Sequence, residues 1–251
     1  MLSIWTDFLL NEFSDLKNLP TRIVIDCSNG SGYETAKFVT ENLGLDVTYI
    51  NINGEINKGH EVMQDFDIGF RFDGDADRCT VVTPKGDVHG DGLLAAFAVW
   101  LKKRKELADC QMVGTILFNS GAEKWLNEFD ITLFRVPVGD KHVCEALDAY
   151  SLTLGGEESG HVIYTPIYHA GDGLVTALLT LRMLNGSVLP DIPLASTVTK
   201  NFLATPDMKA FLRTDAFKKF LTELNEHNQK TRIVIRPSGT EDLVRVLVES
   251  L

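Results

Sequence analysis

Three short stretches concentrate groups able to do chemistry. The first is Asp73-Gly74-Asp75-Ala76-Asp77-Arg78, directly after the apolar run Ile68–Phe72. Alternate positions leaving a strand place three carboxylates in one loop, where at ~4 Å and an effective dielectric of about 20 each pair repels by about 4 kcal/mol. A domain has roughly 5–15 kcal/mol of net stability, so such a cluster needs a cation. Few, hard oxygen ligands suit Mg²⁺ sharing its shell with a phosphate. An EF-hand would place Gly at the sixth loop position and Glu at the twelfth; Arg78 and Pro84 stand there instead. The plainer alternative is that Arg78 merely pairs with exposed aspartates.

The second stretch is Gly155-Gly156-Glu157-Glu158-Ser159-Gly160-His161, between two short strands. Adjacent carboxylates, a hydroxyl and an imidazole on a glycine-flanked turn can reach several hydroxyls of a sugar and handle a proton near neutral pH. Taken alone it is a weak signal, because a single His at a strand edge is usually a satisfied or surface residue. The third is Arg236-Pro237-Ser238-Gly239-Thr240, leaving the strand Ile233–Ile235. A guanidinium, two hydroxyls and glycine-freed amides make a cradle for a dianion, the alternative being an ordinary Pro-Ser-Gly turn. A weaker element, Val138-Gly139-Asp140-Lys141-His142, opens a helix where Lys141 could touch a phosphate or the moving proton. A metal, a sugar-sized polar site and a second phosphate pocket together point to phosphoryl transfer on a sugar phosphate.

The elements that must position these loops read as stacked α/β units. Arg22–Asp26 (RIVID) is a buried strand, residues 29–32 its turn, and residues 33–43 a helix closed by Gly44. Further strands are expected at 47–50, 67–72, 80–83, 113–118, 132–136, 152–154 and 161–164, and helices at 92–107, 122–129, 141–150, 173–184 and 215–228. Gly90-Asp91-Gly92-Leu93 and Gly171-Asp172-Gly173-Leu174 each open an apolar helix. The echo fits either two related domains or a favoured helix start. Pro190, Pro193 and Pro206 precede a last β-α-β-β stretch, which sets a boundary near residue 195.

Composition narrows the partners. The chain has 251 residues, 44% hydrophobic and 24% charged, with a formal net charge of −11. An ordinary packed core follows, and disorder or a fibrous repeat does not. The acidic balance argues against nucleic-acid binding, which draws on Lys and Arg. The longest apolar runs fall short of the roughly 20 residues of a bilayer span. The N-terminal stretch carries Asp7 and Glu12 and has no basic region, so a signal peptide is not expected and a cytoplasmic location is. Cys27, Cys79, Cys110 and Cys144 are too widely spaced for a zinc site and read as buried thiols.

With these loops in this order, the chain resembles the α-D-phosphohexomutase superfamily, whose members move a phosphoryl group between the 1- and 6-positions of a hexose phosphate. Asp73 to Arg78 resembles the family's magnesium loop, Gly156 to His161 its sugar-recognition loop, and Arg236 to Glu241 its phosphate-binding loop. Smaller pieces at 138–143, 171–174 and 243–249 look most like the bacterial phosphoglucosamine mutase branch. The resemblance implies a fold of two tandem mixed-sheet α/β domains, residues 1–110 and 111–195, followed by a small, truncated α+β domain, residues 196–251. It implies that Asp73, Asp75 and Asp77 hold Mg²⁺ while Arg78 steadies the phosphoryl group. Glu157 and Ser159 would bind sugar hydroxyls, and His161 and Lys141 would do the proton work. Arg236, Ser238, Gly239 and Thr240 would hold the phosphate that is not reacting, one fixed site serving both substrate orientations. The implied ligand is a hexose or hexosamine phosphate.

Departures from the family accompany this. Members carry a phosphorylated serine in a Ser-His-Asn-Pro type loop, and that tetrapeptide does not occur in the sequence. Ser28, in Cys27-Ser28-Asn29-Gly30, matches the turn that opens the family's second domain and reads as structural. The stretch from 57 to 72 is short, with Arg71 where a small or apolar residue is usual, and the end at Leu251 leaves out the closing helix expected of the family's last domain. On this reading the chain is inactive alone. A separate chain would supply the phosphoserine domain, or an uncovered apolar face would drive self-association; the alternative is a non-catalytic sugar-phosphate-binding or regulatory paralogue.

Overall fold

A computed structural model describes residues 3–58, 63–185, 187–228, 230–239 and 241–250. Helix α1 (Ser3–Glu12) precedes a first sheet built from β1 (Arg22–Asp26), helix α2 (Tyr33–Asn42), β2 (Asp46–Ile50), β3 (Ile68–Phe72), β4 (Cys79–Thr83) and β5 (Gly86–Asp87). The strand order is β2-β1-β3-β4-β5, with β1 parallel to β2 and β3, and β4 antiparallel to β3. Strand β1 is central and buried from Ile23 to Asp26, as an unbroken apolar run inside a parallel sheet must be. Gly44, at φ +69°, takes the left-handed position that ends α2.

Helix α3 (Gly90–Arg104) leads into the second sheet. It is buried from Asp91 to Val99, which a helix apolar on all sides demands. Lys102, Lys103 and Arg104 stand in its last turn, where the helix dipole favours cations. The second sheet comprises β6 (Gln111–Thr115), α4 (Ser120–Asn127), β7 (Thr132–Val136), α5 (Asp140–Tyr150), β8 (Leu154–Gly156) and β9 (Val162–Tyr164). Its order is β7-β6-β8-β9, parallel except for β9. Helix α6 (Gly173–Leu184) packs on both β4 and α3, and α3 in turn on β4 and β8. One continuous core, including Phe70, Phe72, Leu94, Phe97, Phe118 and Leu178, therefore joins the two sheets.

The third unit is an antiparallel sheet of β10 (Thr197–Leu203), β11 (Thr231–Pro237) and β12 (Leu243–Ser250), in the order β10-β12-β11, with α7 (Pro206–Phe211) and α8 (Asp215–His227). The fold is the expected one: mixed α/β layers with a small C-terminal α+β unit. Among the described residues no helix is long and apolar enough to cross a membrane.

Three local expectations need correction. The strand expected over 113–118 ends at Thr115. The guanidinium of Arg135 takes the carbonyls of Thr115 and Phe118, and that of Arg232 takes those of Ile116 and Phe118, which draws the backbone out of the sheet. The strand expected over 152–154 runs instead from Leu154 to Gly156. Glycine is required there: a Cβ on Gly155 would lie 2.8 Å from Val143 Cγ1, and one on Gly156 would lie 2.3 Å from the His161 carbonyl. The repeated glycine-aspartate start is not a repeated cap. Asp172 caps α6 by accepting the Val175 N–H, whereas His89 caps α3 and Asp91 lies inside its first turn.

A buried ion pair within the C-terminal sheet, Arg232–Glu249, ties that sheet to the second through hydrogen bonds to the backbone of Ile116, Phe118 and Ser120. Glu249 is fully buried, accepting from Arg232 Nε at 2.6 Å and from the Ser120 N–H at 3.0 Å. Removing one partner strands the other charge in a low-dielectric interior. Glu249→Leu is expected to destabilise the protein by about 3–5 kcal/mol in urea unfolding, and adding Arg232→Met should recover part of it. A loss below about 1 kcal/mol would take this pair out of the account.

Candidate functional site

The acidic loop joins β3 to β4, and its carboxylates converge as the sequence requires. Oxygens of Asp73, Asp75 and Asp77 lie within 4.8 Å of one another. Their repulsion is partly relieved by Arg78, which folds back on the loop: its Nε donates to Asp73 at 2.7 Å and to Asp77 at 3.3 Å. The loop's backbone is held from outside. The Gly74 carbonyl accepts from the Ser31 N–H at 3.0 Å and the Ala76 carbonyl from the Gly173 N–H at 2.8 Å. A Cβ on Gly30 would fall 2.4 Å from the Gly74 oxygen, so only glycine fits that approach. Ser28 is part of the same support, its hydroxyl donating to the Phe72 carbonyl at 2.6 Å.

The second loop docks on the first. The Cys79 N–H donates to the Gly160 carbonyl at 3.1 Å, and Gly160 turns at φ +88° with no room for a side chain against Cys79. His161 is buried, with Nδ1 3.2 Å from Asp77 Oδ2. A Cβ on Gly171 would lie 2.3 Å from its ring, so the imidazole is clasped between the acidic loop and the turn into α6. Glu157 Oε1 accepts from the Gly139 N–H at 2.9 Å, which fixes the start of α5 against the same loop. Ser159 is exposed on the loop. Lys141 extends from α5 with its side chain 79% exposed and Nζ 3.7 Å from Glu145.

The third loop follows β11. Ser238 is buried, its N–H donating to the Leu243 carbonyl at 2.8 Å and its hydroxyl accepting from the Glu241 N–H. Gly239 is exposed with open space around its Cα, and Thr240 lies outside the described residues. Arg236 faces Arg245 across the β11–β12 register. Both line a cavity of about 70 Å³ with Glu158, Leu117 and Thr199. The Nε of each arginine is buried without a hydrogen-bond partner. Burial and the neighbouring Arg245 push the Arg236 pKa down. Two half-buried guanidinium groups side by side, each with a buried, unpartnered Nε, can receive an anion.

Arg245 was not legible as a site residue, because only the strand pairing sets it beside Arg236. His89 and Asp91 were missed for the same reason. Ligand atoms of His89, Asp91 and Glu158 also lie within 4.8 Å of one another. Asp91 is 1% exposed; its Oδ2 accepts the Asn119 N–H at 2.9 Å while Oδ1 has no partner. An acidic residue within the apolar run 91–99 was the signal available in the sequence.

Known proteins place this arrangement. Residues 89–199 match the family described as phosphoglucomutase/phosphomannomutase, alpha/beta/alpha domain III, and residues 203–250 match the same family's C-terminal domain. Phosphoglucosamine mutases of Beijerinckia indica subsp. indica and Thermotoga petrophila are each 38% identical, over 91% and 96% of this chain and 55% and 60% of their own. The chain thus spans somewhat over half the length of these relatives. A phosphoglucomutase/phosphomannomutase family protein from Burkholderia thailandensis superposes with a TM-score of 0.77 at 20% identity, over 98% of this chain and 60% of that one. The N-acetylphosphoglucosamine mutase of Aspergillus fumigatus, in complex with GlcNAc-6P and magnesium, gives 0.75 at 17% identity, over 98% and 66%.

Burial lifts the Asp91 carboxyl from 3.8 to about 7, the Asn119 N–H opposing and Glu158 adding. A raised folded pKa means that the fold favours the neutral acid, so the contribution of Asp91 to stability is greatest below pH ~4 and is lost as pH rises through about 7. Between pH 5 and 8 the loss is on the order of 3 kcal/mol. Asp91→Asn keeps an acceptor for Asn119 and should flatten this part of the stability profile. An unchanged slope in urea midpoints across that range would contradict the assignment.

Proposed function

We propose, on the premise that this chain belongs to the phosphoglucomutase/phosphomannomutase family of the α-D-phosphohexomutase superfamily, that it binds a hexosamine phosphate between its three loops as part of a phosphoglucosamine mutase-type reaction. The observation that carries this reading is the docking of the sugar loop on the acidic loop through Gly160–Cys79 and His161–Asp77. A polyol bound at Glu157 and Ser159 then lies beside the carboxylates. The phosphoglucosamine mutases among the relatives support hexosamine over other hexoses.

Asp73, Asp75 and Asp77 fit a divalent metal, because they offer three hard oxygen donors within one ion's reach and only one arginine to neutralise them. Mg²⁺ held there supplies Lewis-acid stabilisation of charge on a transferring phosphoryl group. The chain's own groups do the rest. Arg78 orients two of the carboxylates. His161, its Nδ1 held by Asp77, takes the proton of the attacking sugar hydroxyl as the new O–P bond forms and the bond from phosphorus to the donor oxygen breaks, and returns it to that sugar oxygen when the phosphoryl group passes back to the donor, with Lys141 the second candidate. Arg236, Ser238, Gly239 and Thr240 clasp the spectator phosphate, and Arg245 joins them.

A second reading is sugar-phosphate binding without phosphoryl transfer. A mutase assay with Mg²⁺, glucosamine 6-phosphate and a trace of the 1,6-bisphosphate separates the two. Turnover lost in His161→Ala favours the enzyme; binding without turnover favours the second reading, or a donor on another polypeptide.

Both readings share one prediction. Arg236→Ala should weaken glucosamine 6-phosphate binding by about 1.5–3 kcal/mol in calorimetry, the range for hydrogen bonds to charged groups. Asp75→Asn should lower Mg²⁺ affinity without altering the fold. Unchanged sugar-phosphate affinity in the arginine variant would remove the cradle assignment.

A further inference from the structure

The cavity beside Arg236 and Arg245 has the exposed Glu158 carboxylate in its wall. Glu158 lines it with Arg236 and Arg245, and its ligand atoms also reach the His89–Asp91 pair. It therefore stands between two guanidinium groups and a buried acid. Packing fixes this arrangement: a Cβ on Gly90, the first residue of α3, would lie 2.1 Å from the Glu158 carbonyl, so helix and loop are in direct contact. On the far side, Arg245 also pairs with Glu241, while Arg236 has no ion pair among the described residues and Glu158 is the carboxylate that shares its cavity.

We propose that Glu158 is the resident counter-anion of the Arg236–Arg245 cavity, and that a phosphate dianion enters it together with a proton taken up by the Glu158–Asp91–His89 cluster. The inference rests on the cradle reading of Arg236 and adds a coupling to it. A dianion placed beside an ionised Glu158 is repelled, and a proton on the cluster removes the repulsion. The charged and titratable groups facing Glu158 are His89, the cap of α3, Asp91 from α3, Glu157 from its own loop, Arg236 from β11, and Arg245 and Glu249 from β12. Burial raises the Glu158 pKa, Glu157 and Glu249 add to this, and His89 and Arg236 oppose it. An anion that occupies Arg236 weakens that opposition, so binding favours protonation, and by linkage protonation favours binding. Affinity for a dianion of constant charge must then fall as pH rises.

Sulfate is the probe, because it remains a dianion throughout the neutral range and carries no sugar hydroxyls for Glu158 to accept from. Calorimetry in buffers of differing ionisation enthalpy is expected to show up to about one proton taken up per sulfate, with affinity falling by at most about tenfold per pH unit. Glu158→Gln should bind sulfate about tenfold more tightly at pH 8 and lose most of the pH dependence. Arg236→Ala is the control for site. Sulfate binding that requires Arg236 but is the same in Glu158→Gln, with no proton uptake, overturns this inference and leaves the cradle standing. Binding indifferent to Arg236→Ala overturns the cradle, and this inference with it.

Discussion

Three carboxylates within 4.8 Å of one another are a standing electrostatic load, and most of the surrounding structure can be understood as holding the acidic loop in shape against it. Arg78 neutralises from within the loop. The Ser31 and Gly173 amides fix its carbonyls, and the buried His161 braces Asp77 from the sugar loop. The glycines at 30, 160 and 171 are where these supports come too close for a side chain. A loop held in this way keeps its oxygens converged, which is the preorganisation that binding the proposed cation would require.

The C-terminal sheet presents the complementary problem. Arg236 and Arg245 are opposed across a strand pair and lose water on one side, a configuration that two cations tolerate only beside negative charge. Glu158 and Glu157, carried on the loop that docks on the acidic carboxylates, act on Arg236, and Glu241 pairs with Arg245. The sugar loop thus mediates between a site of excess negative charge and one of excess positive charge. The Arg232–Glu249 pair and the backbone of residues 116–120 join the sheets on which the two sites stand.

The chemistry legible in the sequence was the chemistry local in the chain. Asp73, Asp75 and Asp77 reach one another because they are alternate residues of one turn, and strand β1 read correctly because burial on both faces leaves an unbroken apolar run. Tertiary placement was not legible in the same way. Lys141 read as a weaker candidate beside His161, and only helix geometry shows its side chain 79% exposed beside Glu145. Arg245 and His89 belong beside the loops only because of strand register and helix packing. The early end of β6 depends on guanidinium groups from β7 and β11, one of them over 100 residues distant in sequence, and no window of local sequence contains that competition.

The central claim is that the acidic loop and the arginine cavity act on one ligand. The most direct measurement is ³¹P relaxation of glucosamine 6-phosphate in the presence of the protein with Mn²⁺ in place of Mg²⁺, both metals suiting octahedral oxygen sites. The account predicts paramagnetic enhancement of the bound phosphorus that is lost in Asp75→Asn, through loss of the metal, and in Arg236→Ala, through loss of the phosphate. Enhancement that survives Arg236→Ala, or binding of the sugar phosphate without enhancement, would contradict a shared site.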